Sequence, residues 1–426
     1  MQTVEEIREK LITDINKNYG YEIILRDNEK TMVQKIPTGI FSIDYETRGG
    51  FPRGRGVILV GEESTFKSTL MYSAAGNFQK ICGNCMSGQI SEVNLRPIKV
   101  KIEPSEYLSF DKTTKKYKSK IFIADKQGRN LYSPNEFVNA VTEFSAYQYD
   151  IACSICNEPT YSLFGLIDSE HNYTRKWARK FGVKNYYVVI AQPEYTEQVG
   201  EILREWMSTG KVSFVGIDSV DALGPAVENS SSFEDQQMGV QARTWNKITR
   251  AIHSKLNKPF RYEYTNHANV KIVEEKRPEP CITLISQYRE KIGAYGNPLI
   301  DGGGRGKKFL SSTSIELRKG EREYELIDKK KAFMKFQKYN FELVKNKVGT
   351  PHRLGTIYFD LVKLVVNNIA SITDYAIREG IVEQKGAWYY YKTMKVQGKE
   401  NFILKLANDT AALTELTLAV IKETDD

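Results

Sequence analysis

The 426-residue chain has no run of eighteen apolar residues, so no membrane-spanning helix is expected. Its first residues, MQTVEEIREKLITDI, are amphipathic and charged and lack the apolar centre of a secretory leader, which makes the cytoplasm the expected compartment. Cysteine is scarce. Of five cysteines, four fall in two CxxC pairs, Cys82 with Cys85 and Cys153 with Cys156, a pattern that in a reducing compartment favours metal over disulfides. A strong excess of one charge is also lacking: 61 basic against 53 acidic residues leave +8, compatible with a nucleic-acid partner without establishing one. One further absence is local: no glycine stands immediately before Lys67 in GEESTFKST, where Phe66 takes that place.

That stretch organises the rest. Residues 57–70, VILVGEESTFKSTL, read as a buried strand, a polar turn and the start of a helix, the outline of a phosphate-binding loop. Backbone N–H groups of Gly61, Glu62, Glu63, Ser64, Thr65, Phe66 and Thr69 are expected around the phosphates of ATP, with Lys67 reaching the β- and γ-oxygens and the Ser68 hydroxyl holding Mg²⁺. Glycine before the lysine would allow an unusual φ. Phenylalanine is expected to restrict the backbone there and to pack beside the helix.

Further short apolar strands follow, NYYVVIA at 185–191, VSFVGID at 212–218 and CITLISQ at 281–287, separated by helical patterns. This rhythm predicts an α/β fold, a mostly parallel sheet with helices on both faces. Glu170, Asp218 and Gln287 close the strands of TYSLFGLIDSEH at 160–171, VSFVGID and CITLISQ, at the edge where an open α/β sheet gathers its ligand. Ahead of this core, residues 3–15 have helical spacing and 21–26 read as a strand, either an edge of the same domain or an arm onto a neighbouring subunit. The paired CxxC motifs flank a long insertion between a helix end and the next strand, so four thiolates there would form a tetrahedral Zn²⁺ clasp, the alternative being ordinary buried cysteines. Cys281, inside CITLIS, reads as core. The lysine-rich 111–120 is either a solvated hairpin or a DNA contact.

With these residues in place the chain resembles the RecA family of recombinases, through IPTGIFSID, GEESTFKST, LIDSEHNYTRKWARKFGV, FVGIDSVDALGP, MGVQAR, LISQYREKIGAYGNP, GGGRGKKF, VKNKVGTP and REGIVEQKGAWYYYK in order. The Phe-Lys-Ser of the loop is similar to the variant in T4-type phage recombinases. The resemblance implies a RecA-like P-loop NTPase core at 34–349, an N-terminal polymerisation arm at 1–33, a zinc-binding insertion at 82–156 and a small α+β C-terminal domain at 350–426 that gathers DNA. It implies Glu170 as the base that positions water, Asp218 as the Mg²⁺-ordering carboxylate, Gln287 as γ-phosphate sensor, and Lys345 and Lys347 as cations reaching a neighbour's ATP. It also implies Trp177 against adenine, Arg243, Arg250, Arg289, Lys291 and Arg305 on DNA, and Phe309 at the protomer contact. Thr174 stands where the family commonly has an aspartate near the base. Trp388 reads as core. The implied activity is a DNA-dependent ATPase that forms helical filaments on single-stranded DNA and pairs it with a homologous duplex, with a recombination mediator or single-strand-binding protein as a further partner. A hexameric helicase or a non-hydrolysing scaffold are the alternatives.

Overall fold

The computed structural model describes residues 33–100, 108–111, 116–119, 122–124, 144–158, 160–227, 240–256, 258–277, 279–290, 299–301, 310–328 and 331–422, with isolated positions before residue 18. Among the latter, Glu6, Glu9, Lys10, Thr13, Asp14 and Lys17 are helical and exposed. Thr3 N donates to Glu6 Oε2 at 2.9 Å and Glu6 N to Thr3 Oγ1 at 3.2 Å, a capping box that starts the helix. The strand expected at 21–26 lies outside the described residues.

The core is one nine-stranded sheet. Its central strand β1 (Gly56–Val60) runs into the phosphate-loop segment and then helix α1 (Lys67–Phe78). Next come β2 (Leu163–Asp168), α2 (Arg175–Lys180), β3 (Val188–Ala191), α3 (Thr196–Ser208), β4 (Val212–Asp218) and α4 (Val240–Leu256). A hairpin, β5 (Phe260–Thr265) and β6 (Lys271–Lys276), precedes β7 (Cys281–Ser286), and β8 (Ser311–Asp328), β9 (Lys331–Asn346), β10 (Leu354–Asp360) and β11 (Val365–Val366) complete the sheet. The order is β3-β2-β4-β7-β1-β8-β9-β10-β11, parallel through β8 and antiparallel beyond it. The strand expected at 185–191 starts at Val188, because Asn185–Tyr187 form a 3-10 turn whose carbonyls at Lys184 and Tyr187 accept from Gln79 Nε2.

The pleat divides the sheet between two cores. Val57 and Leu59 of β1 pack with Leu70, Met71, Ala74 and Phe78 of α1 on one face, while Ile58 and Val60 pack with Val199 and Leu203 of α3 and Trp245, Ile248 and Ile252 of α4 on the other. Period two in the strands and period 3.6 in the helices thus bury a helix layer on each side. The IPTGIFSID segment is tied down locally. Asp44 accepts from Thr38 N (2.6 Å), Thr38 Oγ1 (2.8 Å) and Gly39 N (3.0 Å), and the Thr38 carbonyl accepts from Ser73 Oγ of α1 at 2.7 Å.

The expected boundary at 349/350 moves. β10 pairs with β9 and β11 with β10, so the core sheet continues to Val366, and a smaller unit follows from helix α5 (Asn368–Arg378). Its three-stranded sheet, β12 (Glu383–Lys385), β13 (Trp388–Tyr391) and β14 (Met394–Gln397), packs with α6 (Lys399–Asn408) and α7 (Thr410–Lys422) around Tyr389, Tyr391, Phe402, Leu406 and Leu416. Trp388, expected in the core, is 37% exposed: strand alternation turns Tyr389 and Tyr391 inward and Trp388 outward, beneath Lys395 Nζ at 4.8 Å. Buried Glu46 accepts from Arg353 and, at 2.9 Å, from Arg378 Nη1, joining the two units.

Candidate nucleotide site and its surroundings

Four adjacent parallel strands, β2-β4-β7-β1, bring their carboxyl ends to one edge, so Glu170, Asp218, Gln287 and the loop before Lys67 converge there although they are far apart in sequence. They line a cleft of ≈ 420 Å³ with Glu63, Ser64, Thr65, Phe66, Ser68 and Thr69. Ser68 Oγ donates to Asp218 Oδ2 at 2.7 Å. Gln287 Nε2 donates to Glu170 Oε1 at 3.2 Å. Lys67 Nζ donates to the carbonyls of Gly61 at 2.9 Å and of Glu62, and to Thr65 Oγ1 at 3.3 Å. Burial holds the Lys67 ammonium below its ordinary value, opposed by the carboxylates of Asp218, Glu170 and Glu63. Burial also pushes the Asp218 carboxyl up to about 6, helped by Glu170 and Asp168 and resisted by Ser68 and Lys67. A hydroxyl and a carboxylate at hydrogen-bond separation are hard oxygen donors of the kind Mg²⁺ takes, so these residues fit that ion beside a polyphosphate.

Gly61 must be glycine, since a Cβ there would lie 2.3 Å from the Leu317 carbonyl oxygen. Phe66 departs from expectation. Its backbone is not restricted to ordinary angles but stands at φ 75°, ψ 5°, the left-handed conformation that glycine would supply, and Lys67 begins the helix immediately after it. The ring is buried, 5.1 Å from Tyr339, 5.2 Å from Phe359 and 6.5 Å from Phe181. Trp177 belongs to the same aromatic group, 5.1 Å from Phe181 and 6.5 Å from Phe359, and is not among the residues lining the cleft.

Three residues escaped the reading of the sequence. Asp168, at the end of β2, accepts from Asn172 N (3.0 Å), Tyr173 N (3.2 Å) and Gln192 Nε2 (3.3 Å), fixing the loop that carries Glu170. Asp221 Oδ2 accepts from Ser286 Oγ at 2.7 Å and Gln287 N at 2.9 Å, fixing the other partner. Both lie within three residues of Glu170 or Asp218, in LIDSE and DSVD, and that proximity is their signal in the sequence. The third is Lys247, which lies between Arg243 and Arg250 on the exposed face of α4, at i+4 and i+7 spacing.

Lys345 and Lys347 lie elsewhere. Lys345 pairs with Ser314, level with Ile58 in mid-strand, and Lys347 N donates to the Ser312 carbonyl at 2.8 Å, so from Lys345 onward the chain runs toward the start of β1, the edge opposite the phosphate loop. Lys345 Nζ donates to the Ser311 carbonyl at 2.7 Å. Of the expected DNA contacts, Arg289 is in a short strand, Tyr288–Glu290, paired with Leu299–Asp301, while Lys291, Arg305 and the protomer-contact Phe309 lie outside the described residues.

The four CxxC sulfurs come together, all within 4.8 Å of one another and buried. Cys82 Sγ is 3.6 Å from Cys156 Sγ, and Cys85 Sγ is 3.7 Å from Cys153 Sγ. Tetrahedral Zn–S bonds of about 2.3 Å would place sulfurs about 3.8 Å apart, so the set fits that ion. Backbone N–H groups of Asn84, Gly88 and Ile155 each donate to a sulfur at 3.3 Å, which favours thiolates. Cys281 is fully buried away from them, as core.

Two outcomes follow from the loop. Phe66→Gly loses aromatic packing but relieves the left-handed backbone, whereas Phe66→Ala loses the packing and keeps that cost, so the alanine variant is the less stable by about 1 kcal/mol in denaturant unfolding. Equal stabilities would place the ring in sole charge of the effect. Because the folded pKa of Asp218 is raised above its unfolded value, ionising it opposes folding, and that penalty grows as pH rises from about 4 through about 6. Asp218→Asn therefore stabilises the nucleotide- and metal-free protein at pH 8, on the order of 3 kcal/mol, with the gain vanishing toward pH 4. A gain independent of pH would contradict this account.

The RecA N-terminal domain family matches residues 6–97 and 150–363, and the RecA C-terminal domain family matches 370–425. The unmatched 98–149 falls within the insertion between the CxxC pairs. The chain is 27% identical over 396 residues to Protein RecA of Thermotoga sp. (strain RQ2), covering 92% of this chain and 82% of that one. It is 25% identical over 411 residues to Protein RecA of Enterococcus mundtii, covering 95% and 89%. With Protein RecA of Mesoplasma florum it shares 28% identity over 392 residues, covering 90% and 86%. With both family domains matched in order on a phosphate-loop α/β core, the chain belongs to the RecA family, DNA-dependent ATPases of homologous recombination and strand exchange.

Proposed function

We propose that this chain works as an ATP-dependent recombinase whose hydrolytic site is the cleft at Lys67. The observation that carries the reading is the pairing of Ser68 with Asp218 and of Glu170 with Gln287 around one buried lysine. When bound, ATP supplies the phosphoryl group and Mg²⁺ neutralises charge on its oxygens. Lys67 exchanges its bonds to the Gly61 and Glu62 carbonyls for phosphate oxygens, and Ser68 and Asp218 offer the metal their oxygens. Glu170 orients the attacking water and accepts its proton. Gln287, bonded to Glu170 and held by Asp221, reports occupancy to the DNA-binding segment that follows β7.

Lys345 and Lys347 are out of reach of the chain's own loop, which suits cations that act on a neighbour's nucleotide in a head-to-tail filament. Trp177, in the aromatic group that includes Phe66 and Phe181, is assigned to stack on adenine. Arg243, Lys247 and Arg250 form an exposed cationic stripe for the phosphates of single-stranded DNA, joined by Arg289, Lys291 and Arg305. Outward Trp388 and Tyr390 with Lys395 over both rings give the C-terminal unit an aromatic, cationic face for gathering duplex DNA. The four thiolates hold zinc as a structural clasp, and the Phe-Lys-Ser loop favours a phage-type recombinase acting in the host cytoplasm.

Electron microscopy with single-stranded DNA tests the central claim: extended filaments form with ATP, and Lys67→Ala abolishes DNA-stimulated hydrolysis. Rings that unwind a forked duplex, or full hydrolysis by Lys67→Ala, would sink it. For the clasp, metal analysis should return one zinc per chain, and Cys82→Ser should lower the unfolding temperature; a metal-free protein of unchanged stability refutes it.

A further inference from the structure

A second concavity, ≈ 170 Å³, lies at the opposite edge of the sheet, bounded by Arg55, Leu310, Ser311, Ser312, His253 and Lys347. It gathers the start of β1, the start of β8, the last turn of α4 and the turn after β9. No carboxylate lines it. Arg55 and Lys347 are exposed and, among the described residues, their side chains make no hydrogen bond or ion pair. Burial and Arg55 hold the His253 imidazole below its ordinary value, so at neutral pH the ring is a neutral hydrogen-bonding group and the positive charge comes from Arg55 and Lys347. Two unpaired cations aimed into one hollow repel each other unless an anion sits between them. A guanidinium adds the planar fork that matches phosphate oxygens.

The anion does not come from the chain's own loop. Six residues of extended chain separate Arg55 from Gly61, roughly 20 Å at about 3.3 Å per residue. The loop's cleft presents Glu63, Glu170 and Asp218 besides Lys67, and a bound polyphosphate makes that edge more negative still. The negative edge and the positive hollow lie at opposite ends of the same strands, as head-to-tail stacking requires.

We infer that Arg55 is a further catalytic residue, placing its guanidinium on the polyphosphate held at the phosphate loop of the adjoining protomer, beside Lys347. This rests on the reading of Lys345 and Lys347 given above. The test uses the full chain on single-stranded DNA, with Arg55→Ala and Lys67→Ala assayed for ATP hydrolysis singly and as an equimolar mixture. Arg55→Ala alone should lose about 10²-fold in kcat with KM little changed. In random mixed filaments about a quarter of the interfaces pair an intact loop with an intact Arg55, so the mixture recovers about a quarter of wild-type activity. Full activity of Arg55→Ala overturns the proposal. So does an inactive variant that the mixture does not rescue, the result expected if Arg55 acts within its own chain or contacts DNA instead. Should Arg55→Ala fail to assemble, Arg55→Lys, which keeps the charge and loses the fork, takes its place with the same criteria. Recovery with Lys347→Ala but not with Arg55→Ala rejects Arg55 and keeps the trans reading, whereas hydrolysis by Lys67→Ala alone rejects the site itself.

Discussion

A helix that receives phosphate at its N-terminus needs the residue before its first turn to bend the chain sharply, and at Phe66 that bend is a left-handed backbone. For a residue with a side chain this costs about 1–2 kcal/mol. Burying a phenylalanine returns about 1.5–3 kcal/mol, and each well-placed aromatic neighbour adds about 0.5–1.5 kcal/mol. Tyr339 and Phe359 supply those neighbours from β9 and β10. The loop is thereby locked by the antiparallel half of the sheet, where glycine would leave it held by the bonds of Lys67 and Thr65 to its own carbonyls.

That lock matters because the remaining site is built from groups unfavourable by themselves. Asp218 is buried with Asp168 and Glu170 near it, and Lys67 is buried too. Each is tolerated through the other's charge and through Ser68 and the loop carbonyls. A loop that wandered would separate these charges from their partners, so a rigid Phe66 and a strained ionic cleft belong to one design.

The convergence of Lys67, Ser68, Glu170, Asp218 and Gln287 on one cleft was legible in the sequence because parallel strands are continuous apolar runs and the polar residues just past them must share an edge. The conformation of Phe66 was not, since its identity argues against positive φ and only Tyr339 and Phe359, more than 270 residues away, make that angle tolerable. In WYYY the alternation was visible but its phase was not: which parity faces inward is set by α6, where Phe402 lies 5.8 Å from Tyr389. The boundary at 350 failed for a similar reason. VKNKVGTP ends a strand with turn residues, yet the chain returns at once to add β10 to the same sheet.

The long insertion and the β5-β6 hairpin meet at the cysteine cluster. Lys276 of β6 donates to the Cys85 carbonyl at 2.6 Å, Lys211, just before β4, donates to the Asn84 carbonyl at 2.6 Å, and both ammonium groups lie over the Tyr262 ring of β5. The hairpin therefore braces the neck of the long insertion against the ATPase sheet. This placement has a physical reason. The insertion interrupts the connection between α1, which starts at Lys67, and β2, which leads to Glu170. An unclosed excursion of 67 residues between Cys85 and Cys153 would leave that connection to find its ends by loop closure alone, and the four buried sulfurs stand together where those ends meet. Bridging Cys82 to Tyr161 and Ile90 to Cys153 then restores the short helix-to-strand step that the core requires.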